Sequence, residues 1–310
     1  IENIYVVTSK LYGELVEQDL PECRKENILC EPVRRNTAPC IAYAMAKIEK
    51  RCEDALVLVM PSDHLIVDKE NFVSRIFQGF RLARREQVLI CLGIKAAYPN
   101  TGYGYIQYNM DVCSQDDCGI KKVKLFTEKP AYEVACSFVE RGDCLWNAGI
   151  FIWSLQAIKA AFVKFLPEIT DVILKGRELL DTDQEEAFVE EAYSICPSIS
   201  IDYGIMEKAD NVYVIPSDFG WSDIGTWGAL YNVMNKDENG NSVVGKNVML
   251  YDCTNCLINV PKDRLLVAQG LDDYIIVESE GVVMMCKKGE EQRIKQFTTD
   301  VEIEKGNEYI

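Results

Sequence analysis

Basic charge is scarce in this 310-residue chain: 33 Lys and Arg stand against 49 Asp and Glu, a net charge of −16 with the single His neutral. Nucleic-acid binding relies on clustered Lys and Arg to neutralise phosphates, so no nucleic-acid partner is expected. Long apolar runs are also missing. No stretch of about 18 uncharged apolar residues occurs, which argues against a membrane partner, and Ile1 to Val7 is too short and acidic for a signal peptide. The 13 cysteines are odd in number and scattered, often inside apolar stretches such as Val88 to Leu92, unlike a disulfide framework. Cys253 and Cys256 lack the second pair that a four-ligand zinc site needs. A soluble protein of the reducing cytoplasm is expected. The one histidine, His64, leaves little scope for imidazole chemistry.

What is present is the composition of an ordinary globular protein, 48% hydrophobic and 26% charged, long enough for one large domain and a smaller one. Ile4 to Val7, Ala55 to Met60, Val88 to Gly93 and Gly149 to Trp153 are short apolar runs suited to buried strands. Amphipathic patterns predict helices from Thr37 and over Phe72 to Arg85, Tyr132 to Arg141, Leu155 to Phe165, Pro167 to Leu180 and Gln184 to Tyr193. Alternation of strand and helix predicts an α/β fold with a largely parallel sheet. Near Lys236 to Asn241 a polar, turn-forming stretch marks a boundary, giving domains 1–238 and 239–310. The second reads as short strands with turns at Asn255, Pro261 to Asp263 and Glu280-Gly281. No fixed-period repeat is clear enough to read as a solenoid from the letters alone. The chain opens at Ile1 without Met, directly in a strand, so residues ahead of it are expected.

Six segments could carry chemistry. Met60 to His64 follows the most apolar strand and places Asp63 where ligands of open α/β sheets bind; it is a candidate magnesium ligand or a helix cap. Thr101 to Ile106 offers Gly102 and Gly104 for close backbone approach, or simply a hairpin turn. Glu128 and Lys129 set an acceptor for sugar hydroxyls beside a cation for phosphate, although exposed Glu-Lys pairs are common. Asn147 carries donors and acceptors just before a buried strand, and Asn is equally an ordinary turn residue. Phe219 to Trp227 surrounds Asp223, a possible second metal carboxylate, with aromatics that could be plain core. Glu31 to Pro39 brings Glu31, Arg34, Arg35, Asn36 and Thr37 to a helix N-terminus, an anion site or a set of caps, with Glu31 able to accept from guanine N1 and N2 hydrogens.

In this order the segments resemble the sugar-phosphate nucleotidyltransferases, together with Ile201-Asp202-Tyr203-Gly204-Ile205-Met206-Glu207-Lys208, over nearly the whole chain. The resemblance implies a Rossmann-like nucleotidyltransferase domain with a mostly parallel mixed sheet, plus a small C-terminal β-rich segment like a left-handed β-helix, often used for homodimer contacts. It implies transfer of GMP from GTP to mannose 1-phosphate, giving GDP-mannose and pyrophosphate, with Mg2+ as cofactor. Asp63 and Asp223 would hold the metal and Lys129 would meet the sugar phosphate. Glu31, Arg35, Asn36 and Thr37 would line the nucleotide site, and Gly102, Glu128 and Asn147 the sugar site. Three other readings remain: a glucose-1-phosphate enzyme of the same fold, a non-catalytic regulatory subunit that binds the sugar nucleotide, and a structural β-solenoid interaction protein, against which the α/β pattern of the first two-thirds argues. The family's glycine-rich G-x-G-x-R loop and its Pro-Lys are expected ahead of Ile1, and an isomerase domain fused in some longer relatives is not expected after residue 310. Ser62 and Ala148 stand where Ala and Ser are more usual.

Overall fold

The computed structural model describes residues 2–114 and 117–309, without the side chains of 111–118 and 307; Ile1 lies outside them. The chain divides into two compact units, Ile1–Ser62 with Val67–Phe219, and Asp63–Ile66 with Gly220–Ile310.

The first unit begins with strands β1 (Val6–Ser9) and β2 (Ile28–Glu31), which pair in parallel. Helix α1 (Thr37–Arg51) follows, burying Ile41, Ala42 and Met45 and ending on Lys50 and Arg51, whose charge suits a helix C-terminus. After strand β3 (Leu56–Val59), Asp68 caps α2 (Lys69–Arg85) by accepting from Asn71 N at 3.0 Å. Then come β4 (Leu89–Lys95), β5 (Tyr105–Ser114), β6 (Asp117–Thr127), α3 (Tyr132–Arg141), β7 (Cys144–Ser154), α4 (Leu155–Phe165), α5 (Glu185–Ile195) and β8 (Val212–Ser217).

Six strands form one sheet in the order β3-β7-β4-β8-β6-β5, and β5 also pairs with β7. The pairings make β3, β4, β8 and β5 run one way and β7 and β6 the other. This is the Rossmann-like α/β fold expected, with four of the six strands running one way, but the sheet is mixed rather than largely parallel: β7 and β6 run against their neighbours, so among these pairings only β4 with β8 is parallel. Leu89–Gly93 of β4 and Ile150–Trp153 of β7 are fully covered, with Trp153, Ile90 and Leu92 completely buried. Tyr5 to Val7 and Ala55 to Val59 are only half-buried and Ile4 and Met60 are exposed, since among the described residues β1 pairs only with β2 and β3 only with β7.

The single helix expected over Pro167 to Leu180 is broken. Pro167–Ile169 runs into a π-helical turn, Thr170–Leu174, and a 3-10 turn, Arg177–Leu179. Thr170 Oγ1 donates back to Leu166 O at 3.1 Å, an interaction that competes with helix continuation. Gly176 lies so close to Phe188 that a β-carbon there would overlap the ring.

In the second unit, Leu65–Ile66 pairs antiparallel with Trp221–Ser222. Helix α6 (Trp227–Val233) leads to β9 (Ser242–Val244), β10 (Asn247–Tyr251), β11 (Leu257–Asn259), β12 (Leu265–Gln269), β13 (Tyr274–Ser279) and β14 (Val282–Lys287), then α7 (Ile294–Lys305). Parallel ladders β9-β11-β13 and β10-β12 make a β-helix-like coil closed by antiparallel β14. Cys253 and Cys256 are buried in its core, each thiol directed at a backbone carbonyl. Trp227, Leu230, Tyr231 and Met234 pack on Leu257, Ile275 and Cys286. That apolar contact draws α6 into the tail unit, so the units part at Phe219/Gly220, ahead of the polar turn near 236–241.

Candidate functional site

In the first unit, β5, β6 and β7 bring Gly104, Glu128 and Asn147 together. Asn147 N donates to Gly104 O at 2.8 Å. Where Cys91 of β4 pairs with Phe151 and Gly93 with Asn147, the ladder skips three residues of β7. This bulge is possible because Gly149 takes a φ of +67°. It also lets Gly149 N donate to Asn147 Oδ1 at 3.0 Å. Asn147 Nδ2 in turn donates to Asp202 Oδ1 at 2.9 Å.

Asp202 opens a π-helical turn, Asp202–Met206, a local irregularity often found at functional sites. Ile201 N donates to Thr37 Oγ1 at 2.9 Å and Ala38 N to Ile199 O at 3.1 Å, tying the turn's entrance to the start of α1. From the same turn Tyr203 OH donates to Glu128 O at 3.4 Å, and Glu207 Oε1, just beyond it, accepts from Glu128 N at 2.9 Å.

The Glu128 side chain is 12% exposed, and Lys129 Nζ stands 3.4 Å from its Oε1. Its Oε2 is buried with no hydrogen-bond partner, an arrangement that costs free energy unless a ligand supplies a donor. Burial raises the Glu128 pKa above the ordinary carboxylate value, Asp202 adds to the rise and Lys129 opposes it. Burial likewise raises the pKa of Asp202, partly offset by its hydrogen bonds. A β-carbon on Gly104 would overlap Glu128 Oε2 and lie 3.2 Å from Asn147 Cβ. Lys129 has a left-handed φ of +47°, a backbone strain that costs free energy.

Gly102 takes a different part from the one expected. Its N–H donates to Asn100 Oδ1 at 2.8 Å, closing the turn, and Gly104 is the glycine in contact range of Glu128. Asp202 and Glu207 carried no assigned role in the sequence, and of the two glycines offered there the sugar role was given to Gly102, not Gly104. The second glycine of Thr101 to Ile106 and the acids of Ile201 to Lys208 were the available signals.

The Glu31 loop is organised differently. Arg35 Nε and Nη2 donate to Tyr193 O and Ser194 O at 2.9 and 3.0 Å, satisfying carbonyls near the end of α5. Asn36, at a φ of 69°, caps α1 by accepting from Thr37 N at 3.2 Å. With Thr37 Oγ1 accepting from Ile201 N, each of these three side chains, expected at the nucleotide site, bonds to a backbone group of the first unit. Glu31 Oε1 accepts from Tyr193 OH at 2.8 Å, and burial raises the Glu31 pKa against that hydrogen bond.

The second unit carries the two aspartates. Asp63 is exposed, at 83% of its side chain, and its Oδ1 lies 4.0 Å from His64 Nε2. His64 Nδ1 accepts from Trp221 Nε1 at 3.1 Å, which requires an imidazole with no proton on Nδ1. Burial lowers the His64 pKa, while Asp63 and Asp223 both pull it up. Asp223 Oδ1 accepts from Gly225 N, and Ser222 Oγ from Ile224 N, both at 3.2 Å. These bonds curl residues 222–226 into a tight turn in which Ile224 has a φ of +46°. Two carboxylates near one neutral imidazole are hard oxygen donors suited to magnesium, which keeps several waters and is bound by one or two carboxylates plus phosphates. Among the described residues no group of three or more His, Cys, Asp or Glu could hold a metal, so a protein-only cage for a softer ion is not offered.

A family model described as nucleotidyl transferase matches residues 1–240. An alginate biosynthesis protein AlgA of Pseudomonas putida is 34% identical over 295 residues, 94% of this chain and 60% of that protein. A mannose-1-phosphate guanylyltransferase of Salmonella montevideo is 33% identical over 310 residues, 98% of this chain and 64% of that protein. The chain thus spans about three fifths of the length of these curated relatives. A solved structure from Thermus thermophilus, named mannose-1-phosphate geranyltransferase, superposes with a TM-score of 0.81 at 26% identity, covering 96% of this chain and 83% of that one.

Proposed function

The chain belongs to the nucleotidyl transferase family, and from that premise we propose that it transfers GMP from GTP to mannose 1-phosphate, giving GDP-mannose and pyrophosphate. The observation that carries the reading is the buried, unpartnered Glu128 Oε2 beside Gly104, Asn147 and Lys129, a place for sugar hydroxyls next to a cation for the sugar phosphate. The likeness to the mannose-1-phosphate guanylyltransferase of Salmonella montevideo supports the choice of sugar and base.

A phosphate oxygen of mannose 1-phosphate attacks the α-phosphorus of GTP, forming the new P–O bond. The bond from that phosphorus to the bridging oxygen breaks, and its electron pair leaves with pyrophosphate. The nucleophile is already an anion, so no general base is needed, and His64 serves to anchor Trp221. Lys129, 59% exposed, neutralises the sugar phosphate as a point charge. Glu128 and Asn147 orient the sugar, and the second oxygen of Glu31 accepts from guanine. Asp63 and Asp223 would hold magnesium, which supplies charge neutralisation to the reacting phosphates when bound. The family's mode of catalysis is then positioning and electrostatics.

The reading extends to a cytoplasmic homodimer. Among the described residues no helix is long and apolar enough to cross a membrane. On the coil, Met249 and Tyr251 of β10 and Leu265 and Val267 of β12 are exposed on one face, in register, and a second copy would cover them. Sedimentation equilibrium checks this, a concentration-independent monomer being the contrary result.

The decisive experiment is pyrophosphate release by the full-length protein with magnesium, across a panel of nucleoside triphosphates and sugar 1-phosphates. Turnover selective for GTP with mannose 1-phosphate is expected. Selectivity for glucose 1-phosphate, or GDP-mannose binding without turnover by any pair, overturns the assignment.

A further inference from the structure

The Asn147 amide is held from both ends. A backbone N–H, that of Gly149, can only donate, so it selects Oδ1; an ionised carboxylate, that of Asp202, can only accept, so it selects Nδ2. With both bonds made, the amide keeps one N–H and one lone pair, in a fixed order, for a ligand. A side-chain amide without the second anchor can turn about its last torsion and present the pair in either order.

We propose that Asp202 is a positioning residue of the sugar site: its carboxylate locks the orientation of the Asn147 amide and thereby sets affinity for the sugar 1-phosphate, without touching the reacting phosphates. The proposal rests on the nucleotidyl-transfer reading above. The fold invests in this placement. Asp202 is half-buried at the head of a π-helical turn, and that turn is tied to α1 by the Ile201 N to Thr37 Oγ1 bond. The same segment brings Tyr203 OH and Glu207 Oε1 to the Glu128 backbone. One short irregular element therefore sets both polar groups that would face the sugar. Asp202 also adds to the upward shift of the Glu128 pKa.

The test is steady-state kinetics of the full-length protein with Asp202→Ala and Asp202→Asn, each first checked for an unchanged urea midpoint. Asp202→Ala is expected to raise KM for mannose 1-phosphate about tenfold, the worth of one well-made hydrogen bond, while KM for GTP and kcat stay within about twofold. Asp202→Asn keeps an oxygen that accepts from Nδ2 and is expected to recover most of the loss. A second readout needs no turnover. The Asn147 side-chain amide signal in the 15N spectrum, assigned through its absence in Asn147→Asp, is expected to shift in Asp202→Ala and to stay near its place in Asp202→Asn. Equal changes in both KM values, an unchanged sugar KM in Asp202→Ala, or no recovery by Asp202→Asn overturns the positioning role. A wild-type protein inactive with every substrate pair overturns the functional reading and the sugar role with it, and the amide signal then reports separately whether Asp202 holds Asn147.

Discussion

Two polar clusters of the first unit, the Glu31 loop and the Glu128–Asn147–Asp202 cluster, have equal promise as strings of letters and opposite character in space. In the loop, Arg35, Asn36 and Thr37 spend their hydrogen bonds on α5, on α1 and on the segment before Asp202. In the cluster, Glu128 leaves a buried oxygen without a partner, Lys129 sits in a left-handed conformation and Gly104 keeps a space that any side chain would fill. A polar group fully satisfied by its own protein stabilises the fold. A buried one left unsatisfied destabilises it, and that cost is tolerated where a ligand completes the bond. The lesson is that unmet hydrogen bonds, more than polarity, mark the site.

The comparison can be broken at several points. The largest effect is expected at the aspartates of the second unit. Asp223→Asn keeps an oxygen for Gly225 N, so folding stability should stay within about 0.5 kcal/mol, yet magnesium-dependent pyrophosphate release should fall roughly 10²–10³-fold. Near wild-type turnover would remove the metal assignment. Next, Gly104→Ala places a methyl group against Glu128 Oε2. It should raise KM for the sugar 1-phosphate by about tenfold or more and cost about 1–3 kcal/mol in urea unfolding; an unaltered KM would show that Glu128 does not line the pocket. Arg35→Ala should do the reverse, lowering stability by about 1–2 kcal/mol through lost carbonyl partners while KM for GTP moves less than about twofold. A large rise in KM for GTP would return Arg35 to the nucleotide site.

The smallest effect is a pH dependence. The Glu128 pKa is raised in the folded protein, so between its unfolded and folded values the native state binds more protons than the unfolded chain. Its contribution to stability is therefore best below the unfolded value and declines as pH rises through the folded one. Glu128→Gln should raise the urea midpoint at pH 7, and the gain should vanish as pH drops below the ordinary carboxylate range. A constant gain at all pH values would point to packing instead.

Much of the scaffold was legible from periodicity. The helices expected at Tyr132 to Arg141 and Leu155 to Phe165 stand as drawn, and the tail folds as short strands with Asn255 and Glu280-Gly281 at positive φ. Local pattern failed where a third residue decides: Phe188 against Gly176 and the Thr170 back-bond break the expected helix after Pro167. The site was half legible. Glu128 and Asn147 advertise themselves by residue type, whereas Asp202 becomes their partner only through a contact made 55 positions away in the chain. Gly102 and Gly104 were both candidates for close approach, and two glycines in one turn look alike until a neighbour, Glu128, shows which of them needs to lack a β-carbon.

The insertion of 67–219 into the second unit has a kinetic meaning. Asp63 reaches the Asp223 turn through a two-residue strand pair, Leu65–Ile66 with Trp221–Ser222. Closing so long a loop costs roughly 4–5 kcal/mol in chain entropy, more than two rungs of ladder repay alone, so the intervening segment must fold first and carry the ends together. The short strand pair between them thus forms last. In refolding, magnesium-dependent turnover should return only after the helical signal is complete, and an earlier return would show that the strand pair nucleates by itself.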